Sequence, residues 1–252
     1  MKTNDELLYD VVDGIATITI NRPDARNALN SIVREGIRRS VAEFAKNDQA
    51  KVLVITAAGE VAFSAGADLK EMADEGMTIP PDNFISNLAT DKPVIAAVNG
   101  VALGGGFFLV QQADLVVAAS HATFGITEAR YGRGAPWAAP LPLLIPPRVA
   151  LELLLTAQPI SAARAKEVGL VNLIVPFEEL ASASRALAEL IAENAPLSVA
   201  AGKVMVRNTL TSVLGDGRQR AKVIWDPVYL SEDAQEGPRA FKEKRRPQWQ
   251  GR

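Results

Sequence analysis

Residues 94–110 read VIAAVNGVALGGGFFLV. Val94–Val98 has the length and apolar density of a buried strand, and Asn99-Gly100 punctuates it. The stretch from Gly104 onward opens the next helix. Glycine is a poor interior residue for helices and strands. Three in a row, Gly104-Gly105-Gly106, therefore mark a point where the backbone itself is used. The same strand, glycine-bearing turn and helix recur upstream in VITAAGEVAFSAGADLKEM (54–72), and DLVVAA (114–119) supplies a third strand of this kind. Strands and helices alternate to about residue 176, which predicts an α/β core with short crossovers.

Outward from that centre, ELLYDVVDGIATITINRP (6–23) reads as a hairpin, two β-branched runs about Asp13-Gly14. In the segment 28–47, Ile32, Ile37, Val41 and Phe44 stand close to helical spacing, with Asn30 or Ser31 as the cap. The later segments 178–196 and 197–210 lack strand signals, and Pro196 fits the start of a new helix. The division expected is a core over 1–195 and a helical region over 196–252.

Of the 252 residues 48% are hydrophobic and 22% charged, enough apolar mass for a real core. The net charge of −2 argues against a nucleic-acid surface. There is no cysteine, so no disulfide framework, thiolate nucleophile or thiolate metal site is available. The single histidine, His121, makes no metal site and reads as a strand-end residue. The N-terminus has no apolar signal core and no apolar run is long enough to span a membrane. The expected setting is cytoplasmic.

The two glycine-bearing turns invite one chemical reading together. Small residues at a helix N-terminus let a ligand approach backbone N–H groups that carry the positive end of the helix dipole. Two such groups aimed at one point make an oxyanion hole. The alternative is that the glycines only close tight turns. Neither turn has phosphate-loop or dinucleotide spacing.

Five stretches in order, NRPDARNAL (21–29), FSAGADLKEM (63–72), KPVIAAVNGVALGGG (92–106), ATFGITEARYG (122–132) and LLLTAQPISAARAKEVGLVNLIVP (153–176), resemble the signatures of the crotonase superfamily of enoyl-CoA hydratases and isomerases. The resemblance runs from about Leu7 to the C-terminus. It implies a spiral of ββα units with a C-terminal helical region, assembled as a homotrimer or homohexamer. It also implies an acyl-CoA thioester substrate, an enolate-like intermediate, and no cofactor, CoA being part of the substrate. By motif position the oxyanion donors are the amides of Ala67 and Gly105. Fixed donors in such a role are worth roughly 3–4 kcal/mol each. CoA contacts fall to Arg26, Ala28, Ala65, Asp68 and Leu69, and in the tail to Phe241 and Lys244, often toward a neighbouring subunit. Asp68 reads more as a group that orients its loop.

Hydratases of this family use two glutamates. One matches Glu128; the position of the other holds Phe108. A ring cannot hold a water or move a proton, whereas one carboxylate can carry a single proton between two carbons. Isomerisation of an enoyl-CoA by Glu128 is therefore placed first. The alternatives are hydration with a non-standard second acid/base, thioester hydrolysis or decarboxylation, and a non-catalytic acyl-CoA-binding protein. Glu71, Asp74 and Glu75 are possible substitutes but read first as a solvated helix face. Beyond Glu128 the family run GxxPGxGG is replaced by YGRGAPWAAPLP (131–142). Here Trp137 is expected to pack and Arg133 to pair at the surface or a subunit contact; the sharper reading has Tyr131, Arg133 and Trp137 reshaping the acyl pocket with Phe108. Asp114 is expected to cap or pair locally, the alternative being a role next to the active site.

Overall fold

The computed structural model describes residues 5–68, 71 and 88–251. The chain enters through the hairpin β1 (Leu7–Val12) and β2 (Ile15–Ile20), antiparallel with Val12 opposite Ile15. Asp13 (φ 52°) and Gly14 (φ 79°) are both left-handed, as a two-residue turn of this twist requires. Helix α1 (Ser31–Lys46) follows, capped by Asn30, whose side chain accepts from Val33 N.

Three successive excursions then each lay one strand into each of two sheets. The pairs are β3 (Val52–Ala57) with β4 (Ala62–Ser64), β5 (Val94–Val98) with β6 (Val101–Leu103), and β7 (Leu115–Ala119) with β8 (Thr123–Gly125). Strands β9 (Ile160–Ser161) and β10 (Leu173–Val175) complete the set. The larger sheet runs β1-β2-β3-β5-β7-β10 and the smaller β4-β6-β8-β9. Pairing is parallel from β2 through β10 and from β4 through β8. This is the ββα spiral implied by the resemblance. Both faces of the larger sheet are covered, which explains its near-continuous apolar strands. Leu53 and Ile55 point into the main core, while Val52 and Val54 point the other way, against Leu180 and Ala188.

The remaining described helices are α2 (Gly105–Gln112), α3 (Leu141–Leu144), α4 (Pro147–Thr156), α5 (Ala162–Glu167), α6 (Leu180–Ala192), α7 (Pro196–Leu214), α8 (Gly217–Leu230) and α9 (Glu232–Lys242). Helix α6 supplies the cover on the second face of the sheet. Helix α7 buries no residue of its own and is tied to the core by charge. Lys203 Nζ lies 2.7 Å from Asp114 Oδ2, and Arg207 Nη2 lies 3.0 Å from Asp114 Oδ1. The local pairing expected of Asp114 is thus corrected. Its partners come from a helix some ninety residues later, because the strand end it occupies faces α7. No helix among the described residues is long and apolar enough to cross a membrane.

Candidate active site

Two loops and one short helix meet at a point. The first loop is held from behind. Asn27, buried at φ 53°, donates from Nδ2 to Ala58 O (2.9 Å) and Ala62 O (2.6 Å), and its Oδ1 accepts from Arg22 N. Arg22 Nη1 in turn donates to Ala28 O (2.7 Å) and to Asp68 Oδ2 (2.8 Å). Ala65 N donates to Arg26 O (3.0 Å) and Leu29 N to Gly66 O (2.8 Å), so residues 26–29 and 65–67 run as one double strand. Asp68 thus shares Arg22 with the carbonyl of Ala28. Arg26 is exposed, Ala28 and Asp68 are buried, and Leu69 lies outside the described residues, as do Asp74 and Glu75. Glu71 corrects the solvated-face reading: its carboxylate accepts from Ser31 N (2.8 Å) and pairs with Arg34 (3.0 Å), at the N-terminus of α1, where negative charge is favoured.

The second loop is the glycine triplet. Gly104 adopts φ 52° and ψ −122° ahead of α2, a conformation that suits glycine alone. A Cβ placed on Gly66 would sit 3.2 Å from Gly105 N, and one on Gly104 would sit 3.2 Å from Glu128 Oε1. These close approaches bring the backbone around 66–67, the first amide of α2 and the Glu128 carboxylate to one place. Gly105 is the first residue of α2, where N–H groups lack an intrahelical acceptor. Among the described residues neither Ala67 N nor Gly105 N donates to another protein atom.

Glu128 begins a short 3-10 turn, Glu128–Tyr131. Its Oε2 is sealed from solvent without a hydrogen-bond partner. Burial lifts the carboxyl to about 7; hydrogen bonding from its own backbone, from the Trp137 side chain and from Thr127, and the charge of Arg133, oppose that rise. A carboxyl near 7 serves as base and as acid at neutral pH.

Trp137 belongs to an apolar cluster. The Phe108 and Trp137 rings lie 5.7 Å apart, and Trp137 meets Phe107 edge-on at 6.3 Å. Trp137 therefore both packs and touches the carboxylate. Arg133 is not at the surface as expected: it is 8% exposed, with its guanidinium 4.9 Å from the Tyr229 ring centroid. The cause is α8, which roofs this segment. Tyr131 stacks edge-on with Phe241 of the same chain at 5.6 Å, while Lys244 is exposed just past α9. Tyr229 was missed in sequence, since its own stretch, DPVYLSED, carries no motif. His121 sits in an exposed turn, its Nε2 3.0 Å from Glu60 O.

An amide at the start of α2, the backbone around 66–67 close to it and a carboxyl beside them can stabilise an oxyanion and move a proton. The family model for enoyl-CoA hydratase/isomerase matches residues 10–252. The chain belongs to the enoyl-CoA hydratase/isomerase family, within the crotonase superfamily. A carnitinyl-CoA dehydratase of Salmonella typhi is 39% identical over 251 residues, covering 94% of this chain and 95% of that one. The solved structure of a carnitinyl-CoA hydratase from Mycobacterium avium superposes with a TM-score of 0.89 at 37% identity, covering 99% of this chain and 100% of that one. An enoyl-CoA hydratase structure from Mycobacterium tuberculosis H37Rv is more distant, at TM-score 0.81 and 31% identity over 90% of this family member and 100% of that chain.

Proposed function

We propose that this family member moves a double bond along an enoyl-CoA with Glu128 as its one acid/base. The observation that carries the reading is the buried Glu128 carboxyl, with Oε2 unpartnered, beside a Trp137 that packs on Phe108. In a 3-enoyl-CoA the Glu128 carboxylate takes a proton from the carbon next to the thioester. Electrons shift onto the thioester oxygen, held by the amides of Ala67 and Gly105. The protonated Glu128 then returns the proton to the γ-carbon, giving the 2-enoyl thioester and restoring the carboxylate. No water and no cofactor enter. Arg26, Ala28, Ala65, Asp68 and Leu69 would meet the CoA moiety, with Phe241 and Lys244. The exposed apolar residues of α7 and α8 support a homotrimer or homohexamer, and the cysteine-free composition supports a cytoplasmic setting.

Incubating the protein separately with 3-enoyl-CoA and 2-enoyl-CoA tests this. Migration of the double bond is expected; clean hydration of 2-enoyl-CoA without migration sinks the reading. The names of the dehydratase relatives favour a second reading, loss of water from a 3-hydroxyacyl-CoA with Glu128 returning its proton to the departing hydroxyl. Formation of an enoyl thioester from 3-hydroxyacyl-CoA separates the two. Free CoA, read with a thiol reagent, marks hydrolysis, and tight binding without turnover marks a binding protein.

A further inference from the structure

The wall behind Glu128 is built by the C-terminal helices of the same chain. Helix α9 crosses the Glu128 turn so closely that a Cβ on Gly237 would lie 2.2 Å from Tyr131 O, and one on Gly132 would lie 2.4 Å from Asp233 O. From α8 the buried Tyr229 donates its hydroxyl hydrogen to Gly134 O at 2.7 Å. Its ring carries the Arg133 guanidinium. Arg133 N donates to Glu128 O at 2.9 Å, so the two residues share one closed turn. A guanidinium desolvated on an aromatic face keeps its charge and has little freedom to move. In low dielectric that charge acts strongly on a neighbour.

We propose that Arg133 is a positioning residue for Glu128, a fixed counter-charge that the Tyr229 ring holds within the Glu128 turn. The proposal rests on Glu128 being the group that moves the proton, and not on which acyl-CoA reaction follows. Three charged groups on the packed elements have partners of their own. Asp233 accepts from Gln250 N and Gly251 N, Glu236 pairs with Arg245 and Arg239, and Asp226 pairs with Lys222. Arg130 of the turn and Arg148 and Glu152 of α4 are exposed, and Glu232 opens α9 beside the turn. The charge of Arg133 bears on Glu128, and Tyr229 senses both.

The sign follows from electrostatics: a positive neighbour favours the carboxylate over the neutral acid. Loss of the charge moves the ionisation of Glu128 to higher pH. The test is a carboxyl-carbon NMR titration of 13C-glutamate-labelled full-length protein, with the Glu128 signal assigned by its absence in Glu128→Gln. It needs no turnover, so it stands even where the isomerase reading fails. In Arg133→Met the midpoint is expected to rise by about 1 pH unit, and the acid limb of the rate profile to follow. Arg133→Lys, which keeps the charge, should recover at least half of that shift. Should the methionine variant not fold, Tyr229→Leu removes the seat and is expected to move the midpoint in the same direction. An unmoved Glu128 midpoint in whichever of Arg133→Met and Tyr229→Leu folds overturns the proposal, as does equal displacement by lysine and methionine.

Discussion

Glu128 combines two properties that pull against each other. Its carboxyl is buried, which raises it to about 7, and yet the chemistry needs the ionised form. Linkage fixes the sign of the stability effect. An acid whose folded-state value lies above its unfolded value stabilises the fold at low pH, and that contribution is lost as pH rises toward 7. Glu128→Gln removes the charge at nearly the same shape. Thermal melts should show the variant more stable than the parent at pH 8, by up to about 3 kcal/mol, and nearly equal at pH 4. Turnover should fall by roughly 10²–10⁴. A variant of unchanged activity removes Glu128 from the mechanism; a variant less stable at pH 8 contradicts its burial. Phe108→Glu restores the carboxylate that hydratases carry. If Phe108 is what excludes water chemistry, the hydration-to-isomerisation product ratio should rise at least about tenfold, the scale of one placed acid/base group. An unmoved ratio would mean that the dry wall is not what selects the reaction.

At the scale of elements, the glycine contacts between α9 and the Glu128 turn are the most exacting. The atom facing Gly237 is the backbone oxygen of Tyr131, which cannot rotate aside. Gly237→Ala should therefore lift α9 off the turn, costing about 1–3 kcal/mol, a fall of roughly 2–12 °C in melting temperature for a chain of this size. Because the same turn carries Glu128, kcat should fall with it, and an unshifted melt with normal kcat would show that the contact is not tight. These contacts were not legible in the sequence. The hairpin about Asp13-Gly14, the α1 cap and the triplet before α2 were, because turn chemistry and periodicity are local. Asp114, Arg133 and Tyr229 were misjudged or missed because their partners lie about a hundred residues away: Lys203 and Arg207 for Asp114, and each other for Arg133 and Tyr229. Trp137 was recognised as large, but no local pattern tells that its indole reaches Glu128.

For the whole molecule the question is what covers α7 and α8. Leu197 is 85% exposed, Met205 65% and Val213 67% along α7, and Val223 and Ile224 continue the apolar surface on α8. Large apolar side chains exposed in such number along two adjacent helices suit an interface. The helix is held to its own core chiefly by Lys203 and Arg207 on Asp114, so its apolar residues are free to pack against another copy. Sedimentation of the parent at micromolar concentration should give three or six times the 26.9 kDa of one chain. The double variant Met205→Glu, Val213→Glu buries two charges in that interface and should sediment as a single chain. Glu128, Trp137, Arg133 and Tyr229 all come from one chain, so the acid limb of the dissociated variant's rate profile should stay where it is. If Phe241 or Lys244 of a neighbouring copy does meet CoA, KM should rise on dissociation. A parent that sediments at the mass of one chain defeats the assembly. A shifted acid limb would mean instead that the carboxylate's setting is completed across the interface.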